Sequence, residues 1–378
     1  MIKPISKASE YFYKYVAKPV AFRLHPDKVH DNLVKTAKTL QRFALYRLLL
    51  SWAWAYKNPK VLGQKIHGVY FANPVGLSAG FDTNFELAPT LKSIGFGSME
   101  GGSLTFHPCK GNPRPWFHRL PKTKSIVVNK GLANDGVDSI LAHIATYPQD
   151  TFNDFVLNIS VAKTNTKDAC TDEGAIADYI GSLKAIKKSD LGDIVTLNIS
   201  CPNAYGGEPF TTPERLRKLL EAVDHVGLHQ PIFIKMPSDK TWADFRKLLD
   251  IIVLHKISGV TIHNLMKTRD GIHAHDKISA DIKGNLSGKP TQKTSNELIA
   301  RTYKAYGKRL TITGVGGIFS AADAYEKIRL GATNLELITG LLFEGPQVVG
   351  QINLGLAEML QKDGFTNISQ ATGSAHTL

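Results

Sequence analysis

The 378-residue chain is predicted to fold as an α/β protein: a (β/α)8 barrel over residues 61–378 behind an N-terminal amphipathic helical extension over residues 1–60. Three observations lead there. From about residue 61, apolar β-rich runs alternate with amphipathic helical stretches. About eight such units follow one another, the number at which a parallel sheet closes on itself. No dinucleotide-type glycine fingerprint follows the first strand, which argues against an open doubly wound sheet.

The extension holds most of the excess charge. Residues 1–60 carry 12 Lys and Arg against Glu10, Asp27 and Asp31, so +9 of the net +13 sits there. Nucleic acid and an anionic membrane surface are the obvious partners for such a segment. Val29, Leu33, Ala37, Leu40, Ala44 and Leu48 recur at spacings of three and four, one apolar stripe. An aromatic cluster, Tyr11, Phe12, Tyr13 and Tyr15, precedes it. Two short helices with a break near His25-Pro26 are expected. They either pack on the barrel as a plain hairpin or rest in a membrane interface, with lysines at headgroup level and Trp52 and Trp54 as anchors. No signal peptide is visible, and the run from Leu45 to Tyr56 is too short to span a bilayer. Asn58-Pro59 is the expected hinge into the body.

Strands are predicted near 74–79, 96–101, 125–129, 154–160, 193–199, 231–236, 258–263, 310–315 and 334–339. Nine is one too many for the barrel. The segment 125–129 is assigned to an excursion, because 104–124 is rich in Pro, Lys and Gly and offers no helical crossover. Thr212 to Val226 and Thr241 to His255 show helical periodicity between strands.

The chemistry is concentrated at strand ends. Asn198-Ile199-Ser200-Cys201-Pro202-Asn203 puts a thiol between carboxamides where a buried strand ends. A small buried cysteine is the plain alternative, but a thiol there can also take a proton, and Asn side chains can hold a planar amide-rich ring. Asn158 and Asn264 repeat the carboxamide at other strand ends. Lys235 interrupts the apolar strand Ile232-Phe233-Ile234, a costly placement unless the ammonium is paired or meets a ligand. Gly314-Val315-Gly316-Gly317 and Ile338-Thr339-Gly340 end the last two strands, where barrels commonly grip phosphate. Ordinary glycine turns are the alternative. With no dinucleotide fold in view, a monophosphorylated cofactor such as FMN is the economical ligand. The three cysteines, Cys109, Cys170 and Cys201, have no metal-ligand spacing, so neither a disulfide framework nor a metal is expected.

Taken in order, these residues resemble the dihydroorotate dehydrogenases, in their membrane-associated, quinone-linked class, over nearly the whole chain. The resemblance is carried by Asn73 to Asp82, Gly111 to Pro115, Arg119-Leu120-Pro121, Leu286 to Pro290, Gly314 to Ile318 and Phe343 to Pro346. His25-Pro26-Asp27, His30 and the ending Asp363 to Ser369 resemble the quinone-linked class in particular. The resemblance implies FMN held by Ala79, Gly80, Ser103, Asn158, Asn198, Lys235, His263, Gly288, Gly317, Ile338 and Thr339. It implies a dihydropyrimidine against Thr83, Asn129, Lys130, Asn198, Asn203 and Asn264. Cys201 occupies the position of the general base, taking a proton from C5 while hydride leaves C6. Electrons then pass to a quinone entering between the N-terminal helices. The implied location is peripheral on a membrane, the cytoplasmic face of the inner membrane in a bacterium.

Four positions depart from the family pattern. Cys201 replaces the serine base usual in this class. Thr83 stands where a lysine meets the substrate carboxylate, Val128 where a substrate Asn is expected, and Leu265 where a hydroxyl follows Asn264. Lys130 is a candidate to restore the missing positive charge. A related FMN oxidoreductase acting on dihydrouracil is therefore an alternative substrate reading. A flavin-binding membrane scaffold with a degraded site is a non-enzymatic one. Dihydrouridine synthases also place Asn-x-x-Cys-Pro at a barrel strand end. The basic excess here lies on an amphipathic extension with no further RNA module, so no nucleic-acid partner is expected. A thiol with an ordinary pKa near ~8.5 predicts flavin reduction that climbs between about pH 7 and 9.

Overall fold

The computed structural model describes residues 4–269, 272, 275–279 and 281–376. Eight parallel strands close into a barrel in sequential order. They are β1 Val75–Leu77, β2 Ser98–Leu104, β3 Val156–Val161, β4 Ile194–Asn198, β5 Ile232–Lys235, β6 Gly259–Ile262, β7 Thr311–Val315 and β8 Asn334–Leu337. Closure is made by β8 against β1, with Leu335 opposite Val75 and Leu337 opposite Leu77. Both faces of each strand are covered, so polar strand residues such as Glu100, Thr196, Thr261 and Glu336 are buried along with the apolar ones. The outer helices bury one stripe each. Leu216, Leu219, Leu220, Val223 and Val226 of the helix Pro213–Val226 all face the barrel core. Thr241 caps the helix Trp242–Ile252, its hydroxyl accepting from the Asp244 N–H at 3.2 Å.

The expected excursion is real and larger than its sequence suggests. Ser125–Val128 is the middle strand of a three-stranded antiparallel sheet, between Phe117–Leu120 and Asn285–Gly288. The third strand arrives from the segment after β6, and no local periodicity announces it. A small hairpin, Gln64–Ile66 with Val69–Phe71, was likewise not foreseen. Its Ile66 and Phe71 pack on Val156, Ile194 and Phe233 at the start of the barrel strands.

The extension differs from the two helices expected. A helical arm runs Pro4–Phe12, Tyr13–Ala17 and Lys18–Arg23, followed by helices Pro26–Leu40 and Ala44–Trp54. The predicted continuous stripe is thus cut between Leu40 and Ala44. The chain turns extended at Phe43 (φ −87°, ψ 122°), and the still-helical Gln41 ties this end to the barrel: its Nε2 donates to the Glu86 carbonyl at 2.6 Å, and its Oε1 accepts from the N–H and hydroxyl of Thr90. Arg47 then takes the Gln41 carbonyl at 2.6 Å. Trp54 also turns inward, donating its Nε1 to Ser9 Oγ at 3.0 Å, whereas Trp52 is exposed.

Ion pairs and buried caps fasten the extension to the barrel mouth. Glu344 receives Lys14 at 2.9 Å and Lys124 at 2.8 Å, and Tyr13 donates to the Leu342 carbonyl at 2.6 Å. The buried Asp27 accepts the N–H groups of Trp116 and Phe117. The outer face is left apolar. Of 17 exposed large apolar side chains among the described residues, 14 lie between Ile5 and Trp52.

Candidate active site

One cavity opens at the C-terminal ends of the strands, roofed by the antiparallel sheet and the helix Pro26–Leu40. It draws side chains or backbone from loops across the whole chain. Ala79, Gly80 and Thr83 follow β1, and Ser103 sits where β2 slips its register against β3 between Gly101 and Leu104. Asn198, Cys201 and Asn203 come from the end of β4, Lys235 from β5, and His263 and Asn264 from just after β6. Gly317 follows β7, Ile338 and Thr339 follow β8, and the roof adds Lys130 and Gly288.

Two predicted site residues do not line this cavity. Asn158, within β3, spends its Oδ1 accepting from Thr196 Oγ1 at 3.0 Å. Asn129 spends its own on Asn112 Nδ2 at 3.0 Å. A carboxamide one strand residue too deep meets its neighbouring strand instead of the mouth, and the sequence does not show where the mouth begins.

The remaining carboxamides form a connected set. Asn264 donates to Asn198 Oδ1 at 2.9 Å and to Ser200 Oγ at 3.1 Å, and Asn198 donates to Ser103 Oγ at 2.8 Å. Asn203 donates to the Val128 carbonyl at 2.9 Å and accepts from Asn285 at 2.6 Å. Asn285 was missed at the sequence level, since its role depends on a strand pairing that periodicity does not reveal. His263 is uncharged, because burial pushes its pKa down to about 4.

Lys235 is paired as its burial demands. Its ammonium lies 3.2 Å from Glu100 Oε2 and 3.2 Å from Ser78 Oγ, inside the barrel. Burial pushes Glu100 upward, but Lys235 and hydrogen bonds from Glu336 and Ser160 outweigh it and hold Glu100 below its ordinary value. Burial and the Glu100 charge raise Glu336 well above its own. Glu336 is therefore the protonated member, and one of its oxygens, Oε2, is buried without a hydrogen-bond partner on the cavity wall. Both glutamates went unnoticed in sequence. The signal was there, a single acid inside each of two segments expected to be barrel strands, the same kind that singled out Lys235.

Burial pushes the Cys201 thiol up to about 11, and nearby Glu208 adds to the rise. The Asn203 N–H and the ammonium groups of Lys163 and Lys235 offset only part of it. This corrects the expectation of an ordinary thiol. Lys163 also ties the following loop, donating to the Tyr205 carbonyl at 2.6 Å.

At the other end of the cavity, Gly316 and Gly317 take φ of +100° and +73°, where L side chains rarely go. A Cβ on Gly317 would lie 2.4 Å from Gln292, and one on Gly340 2.1 Å from the Ile318 carbonyl. Glycine is therefore what lets these two loops close on Gln292 and Ile318, and consecutive residues in this backbone form can turn N–H groups into a concavity of the kind that accepts an anion. An orphaned acceptor and an ammonium below, a ring of carboxamides beside the thiol, and this cradle suit a flat imide-bearing ring with a phosphate tail.

The dihydroorotate dehydrogenase family model matches residues 61–360. The chain is 32% identical over 374 residues to a dihydroorotate dehydrogenase (quinone) of Nostoc punctiforme, covering 96% of this chain and 97% of the relative. A relative of the same name from Acaryochloris marina is 32% identical over 365 residues, covering 93% and 96%. Among solved structures, a ligand-free DHODH from Eimeria tenella is similar with a TM-score of 0.82 and 26% identity, over 93% of this chain and 99% of that one.

Proposed function

This chain belongs to the dihydroorotate dehydrogenase family, and we propose from that premise that it oxidises dihydroorotate to orotate and passes the electrons to a quinone. The observation that carries the reading is the convergence of Cys201, the carboxamides of Asn198, Asn203 and Asn264, and Lys235 on one cavity at the barrel mouth. The family implies a flavin. We assign it as FMN, whose single phosphate suits the cradle of Gly316-Gly317 and Thr339-Gly340.

FMN supplies acceptance of a hydride from C6 of the substrate and its later release as electrons to the quinone. The protein's own residues do the rest. Cys201, as thiolate, takes the proton from C5, so that the ring loses one proton and one hydride and gains the double bond. Asn198 and Asn264 exchange hydrogen bonds with each other for bonds to the pyrimidine, and Asn203 is kept in its rotamer by Val128 and Asn285. Ala79, Gly80, Ser103, His263, Gly288 and Ile338 form the walls around the flavin. Lys235 would be the group that offsets negative charge on a bound flavin.

The purified protein is expected to be yellow and to bleach anaerobically with dihydroorotate. Flavin retained without bleaching would remove this substrate. Faster bleaching by dihydrouracil would move the protein to the alternative that the family matches do not favour. Nothing in those matches favours the RNA-modifying alternative.

The extension serves the quinone side. Pro26, Val29, His30 and Leu33 of its second helix line the same cavity as the flavin loops, giving an apolar route inward from the extension. No helix among the described residues is long and apolar enough to cross a membrane. Peripheral attachment by residues 1–60 is our reading, with exposed Leu45, Leu48 and Trp52 dipping into the acyl boundary under a basic collar. The double substitution Leu45→Asp with Leu48→Asp is expected to lower partitioning onto anionic vesicles by roughly tenfold or more, since each leucine contributes about 1.5–3 kcal/mol on burial. Unchanged co-sedimentation would place the membrane contact elsewhere.

A further inference from the structure

Lys130 is a buried cation with no ion-pair partner among the described residues. It is only 8% exposed, yet its ammonium meets neutral groups alone: Thr83 Oγ1 at 3.2 Å, the Gly80 carbonyl at 3.4 Å and the Trp116 ring, 5.7 Å from its centroid. Among the described residues no carboxylate forms an ion pair with it. The acids around it are already engaged. Asp82 accepts the N–H groups of Glu86 and Leu87 at 2.9 and 2.8 Å, Asp31 holds Arg114 at 2.8 Å, and Glu86 holds Lys38. Asp27 is taken by the N–H groups of Trp116 and Phe117. His30, packed on Phe81 beside this group, is uncharged because burial pushes it down to about 4. A buried ammonium left in this state is costly, and a ligand anion is what would remove the cost.

Lys130 lines the cavity that also holds Cys201, Asn198 and Asn264, and separates it from a second one lined by Asp31, Asp82 and Glu86. Burial pushes the Lys130 pKa down to about 8, more than Asp82, Asp31 and Glu86 pull it back, as expected of a cation still missing its counter-ion. We propose that Lys130, with the Thr83 hydroxyl as second donor, binds the carboxylate of the pyrimidine substrate and thereby selects dihydroorotate over pyrimidines lacking that group. The assignment rests on the dihydroorotate reading above. It gives the charge a place on the roof sheet, reaching down to the loop after β1, so substrate selection depends on the roof being seated. Thr83 carries only a neutral hydroxyl and supplies no charge itself.

The test is equilibrium binding to the oxidised holoprotein, followed by perturbation of the flavin spectrum with orotate and with uracil as probes. Wild type should bind orotate more tightly than uracil. Lys130→Met should weaken orotate by roughly tenfold to hundredfold, the worth of a charge-assisted hydrogen bond, and leave uracil unchanged. Uracil binding on the same sample guards against a misfolded variant. Adding Thr83→Lys to Lys130→Met should recover orotate binding, because a lysine there reaches the same spot from the other side. Equal loss of both ligands, or orotate binding that survives Lys130→Met, overturns the assignment of Lys130. Wild type that does not prefer orotate overturns the dihydroorotate reading itself, and Lys130's role with it.

Discussion

Cys201→Ala is expected to slow anaerobic flavin reduction by dihydroorotate by roughly 10²- to 10⁴-fold, the usual contribution of a general base, with flavin content unchanged. The pH profile is the sharper readout. The base acts as thiolate, and burial pushes the thiol up to about 11. Its ionised fraction therefore grows tenfold per pH unit through the neutral range. The reduction rate in the wild-type protein should climb with a slope near one from about pH 7 to pH 10 and level only near the thiol pKa. The ordinary thiol expected from sequence alone would bend over near pH 9. In Cys201→Ala the slope should vanish. Stopped-flow flavin bleaching across this range decides the matter, and a flat wild-type profile would remove Cys201 as the base.

Lys235→Met should be the most destabilising single change in the barrel interior, by about 3–5 kcal/mol at pH 7, because it strands the Glu100 carboxylate without its counter-ion. That ammonium is the largest of the influences that hold Glu100 below its ordinary pKa, ahead of the hydrogen bonds from Glu336 and Ser160. Without Lys235, burial is opposed only by the Glu336 and Ser160 hydrogen bonds, so Glu100 moves upward and takes up a proton as pH falls. The loss should accordingly shrink between pH 7 and pH 5. Adding Glu100→Gln should return most of the stability, since no buried charge then remains unpaired. Denaturant unfolding midpoints of the single and double variants at both pH values measure this. A single variant as stable as wild type would mean that the Glu100 and Glu336 pair carries its own charge balance.

The parts legible in the sequence are those that local spacing encodes. Each barrel strand was expected within a few residues of where it lies, because buried parallel strands are short apolar runs bounded by glycines and helices. Cys201 and the strand-end carboxamides were found by the same logic, as polar groups where an apolar run stops. The antiparallel roof was only half visible. Ser125–Val128 has strand character, but its partner Asn285–Gly288 lies far along the chain. The extension was misjudged between Leu40 and Ala44, where the backbone turns extended at Phe43 although the apolar spacing runs on through it.

By itself, then, the sequence determined the barrel, the face on which chemistry sits and the identity of the thiol. Only the tertiary structure decided what those groups are able to do. Closure of the barrel brings Glu100, Lys235 and Glu336 together from β2, β5 and β8, and seating of the roof brings Lys130 to Thr83. Desolvation then sets the protonation of Cys201, Glu336 and Lys130. The reason is that periodicity reports how a segment meets its neighbours in general. A pKa or an ion pair depends on which particular atoms replace water around one group, and those come from elements far apart in the chain.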